Sequence, residues 1–208
     1  MTTHDTSWRL GDTSSPINRV YDALRRGLNG DLVSYFERTA LAGSGPYRVL
    51  EAGSGTAFAS SLIIQHPSVG LGMAIDHDLE ALGEGRARDA QLITSVADIF
   101  RLPFADGAFD LVWNSSTLEH LGRTEQALAE MARVVRPGGY LFTGVPFAYG
   151  PLGFQKWIAN TSTGVWIGTV FDRPTLEGLI RQTGLQPCDS ITYFFRFFIG
   201  ILAQKPAA

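Results

Sequence analysis

From Tyr47 to Val145 the chain keeps returning to one unit: a short apolar run, a turn, then an amphipathic segment. The runs fall at Tyr47–Glu51, Gly70–Asp76, Leu92–Val96, Phe109–Trp113 and Gly139–Val145. Helical spacing marks 57–65, 79–90 and 124–135 between them. Runs this short, alternating with crossover helices, are the signature of parallel strands covered on both faces. Pro137-Gly138-Gly139 supplies a helix stop and a turn ahead of the fifth run. Two later runs, Ser190–Phe195 and Phe197–Ala203, are expected to close the sheet. The sequence therefore predicts an α/β fold: a doubly wound, mostly parallel seven-stranded sheet with helices on both faces and a final antiparallel hairpin.

The flanking stretches behave differently. Ile17–Leu28 and 32–40 carry helical spacing broken by Asn29-Gly30-Asp31, so residues 1–45 are expected to form a helical N-terminal cap over a 46–146 core. After Pro146 regularity lapses. Residues 147–171, with Phe154, Trp157, Trp166 and several glycines, read as an insertion on the substrate side. Helical spacing resumes with Asp172 as N-cap, Pro174 in the first turn, Leu176, Leu179 and Ile180 on one face, and Gly184 as terminator. Residues 172–208 supply this closing helix and the last strands. A length of 208 residues suits one domain with an adequate core.

Composition narrows the function classes. With 45% hydrophobic and 18% charged residues the chain is expected to fold unaided. Seventeen basic residues against twenty acidic give a net charge of −3 and no overall positive field, so no nucleic-acid partner is expected. The one cysteine, Cys188, builds neither a disulfide framework nor a thiolate metal site and reads as a buried or semi-buried thiol. The four histidines show no metal-ligand spacing, and no metal is assigned. The polar N-terminus lacks the apolar core of a signal peptide, and no stretch approaches the ~20 apolar residues of a spanning helix. Tyr193–Ile199 is too short to insert stably and is interrupted by Arg196; it fits a buried hairpin, or a dimer contact. A cytoplasmic monomer or homodimer is the expectation.

The candidate chemistry lies at the ends of the apolar runs. Val49-Leu50-Glu51-Ala52-Gly53-Ser54-Gly55-Thr56-Ala57 sets a glycine-rich turn between strand and helix, where a ligand can approach bare backbone. A tight strand-to-helix connection would look the same. About twenty residues on, Asp76 ends the second run, from where a carboxylate can accept from two ribose hydroxyls; a helix cap ahead of Leu79 is the alternative. His77 stands beside it, within reach of the same ribose or of an adenine edge. Asp98 follows the third run, placed to accept from an exocyclic adenine amine, with Ile99 packing on the ring.

Four ordered strings resemble class I S-adenosylmethionine-dependent methyltransferases, especially the small-molecule subgroup that includes ubiquinone- and menaquinone-methylating enzymes. They are Val49–Thr56, Ala97-Asp98-Ile99 with Leu102-Pro103-Phe104, Phe109–Val112, and Arg133–Gly139. The resemblance covers roughly Tyr47–Val145. It implies S-adenosyl-L-methionine as cofactor, with Glu51, Gly53 and Gly55 around its methionine part, Asp76 at the ribose, and Asp98 and Ile99 at the adenine; Ser54, within the glycine turn, is a further cofactor-binding candidate. Asn114 would offer its backbone carbonyl to the cofactor's amino group. The departure is Ala57, where the family commonly has a third glycine; its methyl is expected to reduce affinity at most. A nicotinamide oxidoreductase would need a small residue at the sixth position of the glycine pattern, and Phe58 stands there.

Methyl transfer from a sulfonium needs mainly alignment and exclusion of water. Where the acceptor carries an ionisable proton, His120 in Ser115–His120 is the candidate base; it also fits a structural role lining the loop. Glu119 reads as a solvated or pairing residue. Tyr21, Phe147, Tyr149, Phe154, Trp157 and Trp166 point to a small apolar or aromatic methyl acceptor, or serve only to bury the insertion. A catalytically silent cofactor-binding module acting through a partner protein is the second reading, since no obligatory nucleophile is present.

Overall fold

The computed structural model describes residues 29–158 and 168–207, with Gly27; the side chains of 155–158 lie outside that description. Most of the expected Ile17–Leu28 helix, and Tyr21 and Trp166, also fall outside it. Seven strands form one sheet: β1 Tyr47–Ala52, β2 Val69–Asp76, β3 Ile93–Val96, β4 Phe109–Ser115, β5 Val135–Pro146, β6 Gln186–Tyr193 and β7 Phe198–Gln204. Their order is β3-β2-β1-β4-β5-β7-β6. The first five run parallel, and β7 pairs antiparallel with both β5 and β6. Sheet class and closing hairpin are those the sequence predicts.

Both faces are covered, which explains the apolar runs. Successive β4 residues point to opposite sides: Val112 joins Leu50, Leu141 and Ile201, whereas Leu111 and Trp113 join Val49, Phe142 and Leu202. The helices are α1 (29–38), α2 Phe58–Ile63, α3 Leu79–Arg88, α4 Thr124–Val134, α5 Pro151–Ile158 and α6 Arg173–Gln182. Residues of α4 and α6 pack on the first face. The second is covered by α1 and α2, with Phe36 making edge contacts to Phe142 at 5.0 Å and Trp113 at 5.5 Å. The α4 C-terminus is finished from a distance in sequence: the Lys205 ammonium donates to the carbonyls of Ala132, Arg133 and Val135.

Several boundaries differ from the sequence reading, each for a local reason. Ala57 is not helical; at φ 49° it is the left-handed residue before α2, with its methyl fully buried. Asp78, not Asp76, caps α3, accepting from Glu80 and Ala81 amides. Asp172 caps α6 as expected. Part of the 147–171 segment is helix, because Pro151 at the start of α5 costs no hydrogen bond there. β6 begins at Gln186, four residues before the expected Ser190, and Cys188 lies at a register shift of this edge strand, exposed rather than buried. Phe194 and Phe195 are not strand; with Arg196 they are three successive left-handed residues at the hairpin tip (φ 51°, 48° and 64°). Non-glycine residues in that region are strained by roughly 1–2 kcal/mol each.

Phe142 lies directly over Gly200 on the neighbouring strand, where an added Cβ would collide with its ring. Gly200→Ala is therefore expected to destabilise the fold by about 1–3 kcal/mol, read as a lower urea midpoint at unchanged slope.

Candidate functional site

The strand order reverses direction between β1 and β4, and in sheets of this kind the crevice beyond the carboxyl ends at that point is where ligands bind. The candidate residues meet there. Register places Glu51 of β1 beside Trp113 of β4, one residue before Asn114, and Asp76 of β2 beside Val96 of β3, two residues before Asp98.

The glycine turn is anchored on each side. Gly53 and Ser54 amides donate to the Ile75 carbonyl (2.9 and 3.0 Å), and the Gly55 amide donates to Asp76 Oδ2 at 2.7 Å. From the other side Thr117 Oγ1 donates to the Gly53 carbonyl at 2.9 Å. A Cβ on Gly53 would run into Thr117, whereas Gly55, at φ 52°, has open space where its Cβ would stand. The first glycine is required by packing and the second leaves room for a ligand. Glu51 is buried, accepting from the amide and hydroxyl of Ser60 (3.2 and 2.5 Å).

Asp76 accepts from Gly55 through one oxygen and from the Asp78 amide through the other, 3.0 Å away. Beyond these two amides its nearly buried carboxylate has two lone-pair sites left, one of them on the oxygen that faces His77. His77 is 74% exposed, its Nδ1 3.0 Å from Asp76 Oδ1. Asp98 is exposed and folds back to accept from the Phe100 amide, while Ile99 packs partly buried against the core. The loop after it is stapled by Arg133, which donates to the carbonyls of Leu102 and Phe104 and to Asp106 and Glu130. The sequence strings around Asp98 and Arg133 are thus one structural unit.

Asn114 is fully buried with neither side-chain atom hydrogen-bonded, and the Ser54 hydroxyl is likewise unpaired. Buried polar atoms without partners are uncommon and point to a missing one. The Ser115–His120 loop corrects the sequence reading of Glu119. It is Glu119 that is buried, at 2% side-chain exposure, with Oε2 unpaired, whereas His120 is half exposed at 49%. The two side chains are 3.9 Å apart, too far for a hydrogen bond. Burial pushes the Glu119 carboxyl up to about 8, and burial lowers the His120 pKa from its ordinary value. Glu119 carried no sequence signal, because a lone carboxylate is ordinarily solvated. Its carbonyl accepts from the Thr169 amide at 2.9 Å, so the return from the 147–171 segment crosses this loop. Among the described residues no cluster suited to a metal ion is present.

Residues 50–143 match the family described as a methyltransferase domain. The matched segment runs from β1 into β5 and includes the glycine turn. The chain is similar to a demethylmenaquinone methyltransferase of Beutenbergia cavernae, 33% identical over 138 residues, 66% of this chain and 56% of that protein. To the 27-O-demethylrifamycin SV methyltransferase of Amycolatopsis mediterranei it is 30% identical over 103 residues, 48% of this chain and 37% of that protein. The chain thus spans between 37% and 56% of the length of these two relatives. Among solved structures, magnesium protoporphyrin IX methyltransferase of Synechocystis, with bound SAH, shares the fold at TM-score 0.73 and 16% identity, covering 95% of this chain and 90% of that one.

The raised Glu119 pKa makes stability depend on pH. Between about 4.5 and 8 the folded chain keeps a proton that the unfolded chain has released, so stability falls as pH rises through this window. Glu119→Gln removes the dependence. Unfolding free energies from urea titrations are expected to be similar near pH 4.5 and to favour the variant by on the order of a few kcal/mol above pH 8; parallel pH dependences would contradict the buried, unpaired carboxyl.

Proposed function

We propose that this protein transfers a methyl group from S-adenosyl-L-methionine to a small apolar or aromatic organic acceptor. The observation that carries the reading is the meeting of Glu51, Asp76, Asp98 and Asn114 at the ends of four neighbouring strands around a turn left open at Gly55. The unpaired side chains of Asn114 and Ser54 and the spare lone pairs of Asp76 support the fit to this cofactor. Phe58 disfavours a dinucleotide: it is buried beneath the Arg88 guanidinium at the position that would have to be small.

The bound cofactor supplies a methyl group on a positively charged sulfur, a leaving group that needs no further activation. The chain's part is to bind and align. Glu51, Gly53, Ser54, Gly55 and Asn114 hold the amino-acid end, Asp76 and His77 the ribose, and Asp98 and Ile99 the adenine. Where the acceptor is a hydroxyl, His120, kept largely neutral by partial burial, would accept its proton. The names of the two relatives, which refer to different organic acceptors, support a small-molecule substrate.

Calorimetric titration with S-adenosylhomocysteine, run beside NADH, tests the cofactor assignment. The former alone is expected to bind, and Asp76→Ala and Asp98→Ala should each weaken it about tenfold or more, the value of hydrogen bonds to a charged group. Unchanged affinity in both variants, or binding of NADH instead, would overturn it. With a hydroxyl acceptor in hand, His120→Gln is expected to lower kcat by about 10²–10⁴-fold while leaving that affinity intact.

A further inference from the structure

The carboxyl end of the sheet carries a cluster of exposed aromatic side chains. Tyr149 is 73% exposed, Phe195 79% and Phe154 61%. They belong to two segments in direct contact: the Phe147 amide donates to the Phe197 carbonyl, and a Cβ on Gly150 would run into the Arg196 carbonyl. Phe147 meets Tyr149 edge-on at 5.7 Å, and Phe194 packs against Phe195 and Phe197 at 5.9 and 5.0 Å. The tip holds Phe195 and Arg196 outward by means of three successive left-handed residues, a strain that a glycine-containing turn would avoid.

Charge is distributed to match. In a chain with twenty acidic residues, none occurs from Met131 to Phe171 or from Ser190 to the end of the sequence, the two stretches to which Tyr149, Phe154, Phe195 and Arg196 belong. Of the acids close by, Glu119 is buried and Asp172 is occupied with the Thr175 amide. Arg196 is exposed beside the aromatic rings. Aromatic rings with a cation, and with no free carboxylate beside them among the described residues, have the chemistry of a surface that settles into the headgroup layer of an anionic bilayer. No helix among the described residues is long and apolar enough to cross a membrane, so such contact would be peripheral.

We propose that the surface formed by Tyr149, Phe154, Phe195 and Arg196 docks the protein on anionic lipid membranes. It sits at the same end of the sheet as the ligand crevice, so docking turns that crevice toward the bilayer, from which an apolar acceptor can enter without crossing water. The docking itself does not depend on the cofactor assignment.

The test is co-sedimentation of the full chain with vesicles of phosphatidylglycerol and phosphatidylcholine, one to one, and of phosphatidylcholine alone, at low salt. Wild type is expected to sediment several-fold more on the anionic vesicles. The double substitution Tyr149→Ser/Phe195→Ser should abolish sedimentation on both, and Arg196→Gln should remove the anionic preference. Ile93→Ser, an exposed apolar site on the far edge strand, should bind as wild type, and unchanged thermal melts would show that the variants fold. Failure of wild type to sediment, or equal sedimentation by the double variant, would overturn the proposal. So would a Phe195-dependent dimer in sedimentation velocity without vesicle binding, which would assign the surface to a second copy of the chain.

Discussion

One carboxylate, Asp76, ties the site together. Through one oxygen it holds the glycine turn by the Gly55 amide, and through the other it holds the entry to α3 by the Asp78 amide. The β2 strand ends there, β3 is registered beside it, and the Ala97 amide donates to the Asp76 carbonyl at 3.0 Å. The turn after β1, the start of α3 and the loop carrying Asp98 thus share a single reference point. A charged acceptor bonded to backbone amides is among the stronger local interactions available, and it costs no side-chain entropy on the donor side.

The rest of the fold serves to make that point rigid. Covering the sheet on both faces excludes water from β1 and β4, so their ends are fixed by packing rather than by loop conformation. Thr117 fixes the turn from the β4 side, and Arg133 fixes the loop beyond Asp98 through two carbonyls and two carboxylates. Polar atoms left over inside this rigid shell, on Asn114, Ser54 and Glu119, are then informative, because so much of the surrounding backbone is satisfied.

The sheet, and the placement of Glu51, Asp76, Asp98 and Asn114 at the ends of its strands, were legible in the sequence because each left a pattern: apolar runs of strand length, glycines at a strand end, an acid at the close of the next run. Where the sequence was silent, the physics was non-local. Nothing in an alanine announces φ 49°, yet Ala57 takes that value because its methyl fills space beside Gly85, Ala74 and Leu92. Phe194–Phe197 is apolar enough to read as strand, but the pairing of Tyr193 with Phe198 forces it into a turn. Glycines and proline disguised α5, and the polar outer side of edge strand β6 hid its first four residues. Glu119 looked like any surface acid, yet its side chain is buried where the return segment at Thr169 crosses the loop.

The central claim is that Asp76 and Asp98 define opposite halves of one nucleoside site. A crystal structure of the chain with S-adenosylhomocysteine tests it most directly. The account predicts both ribose hydroxyls donating to the Asp76 carboxylate, which keeps its Gly55 and Asp78 amides, and the adenine between Asp98 and Ile99. A ligand lying elsewhere, or one leaving Asp76 bonded only to those two amides, would contradict it.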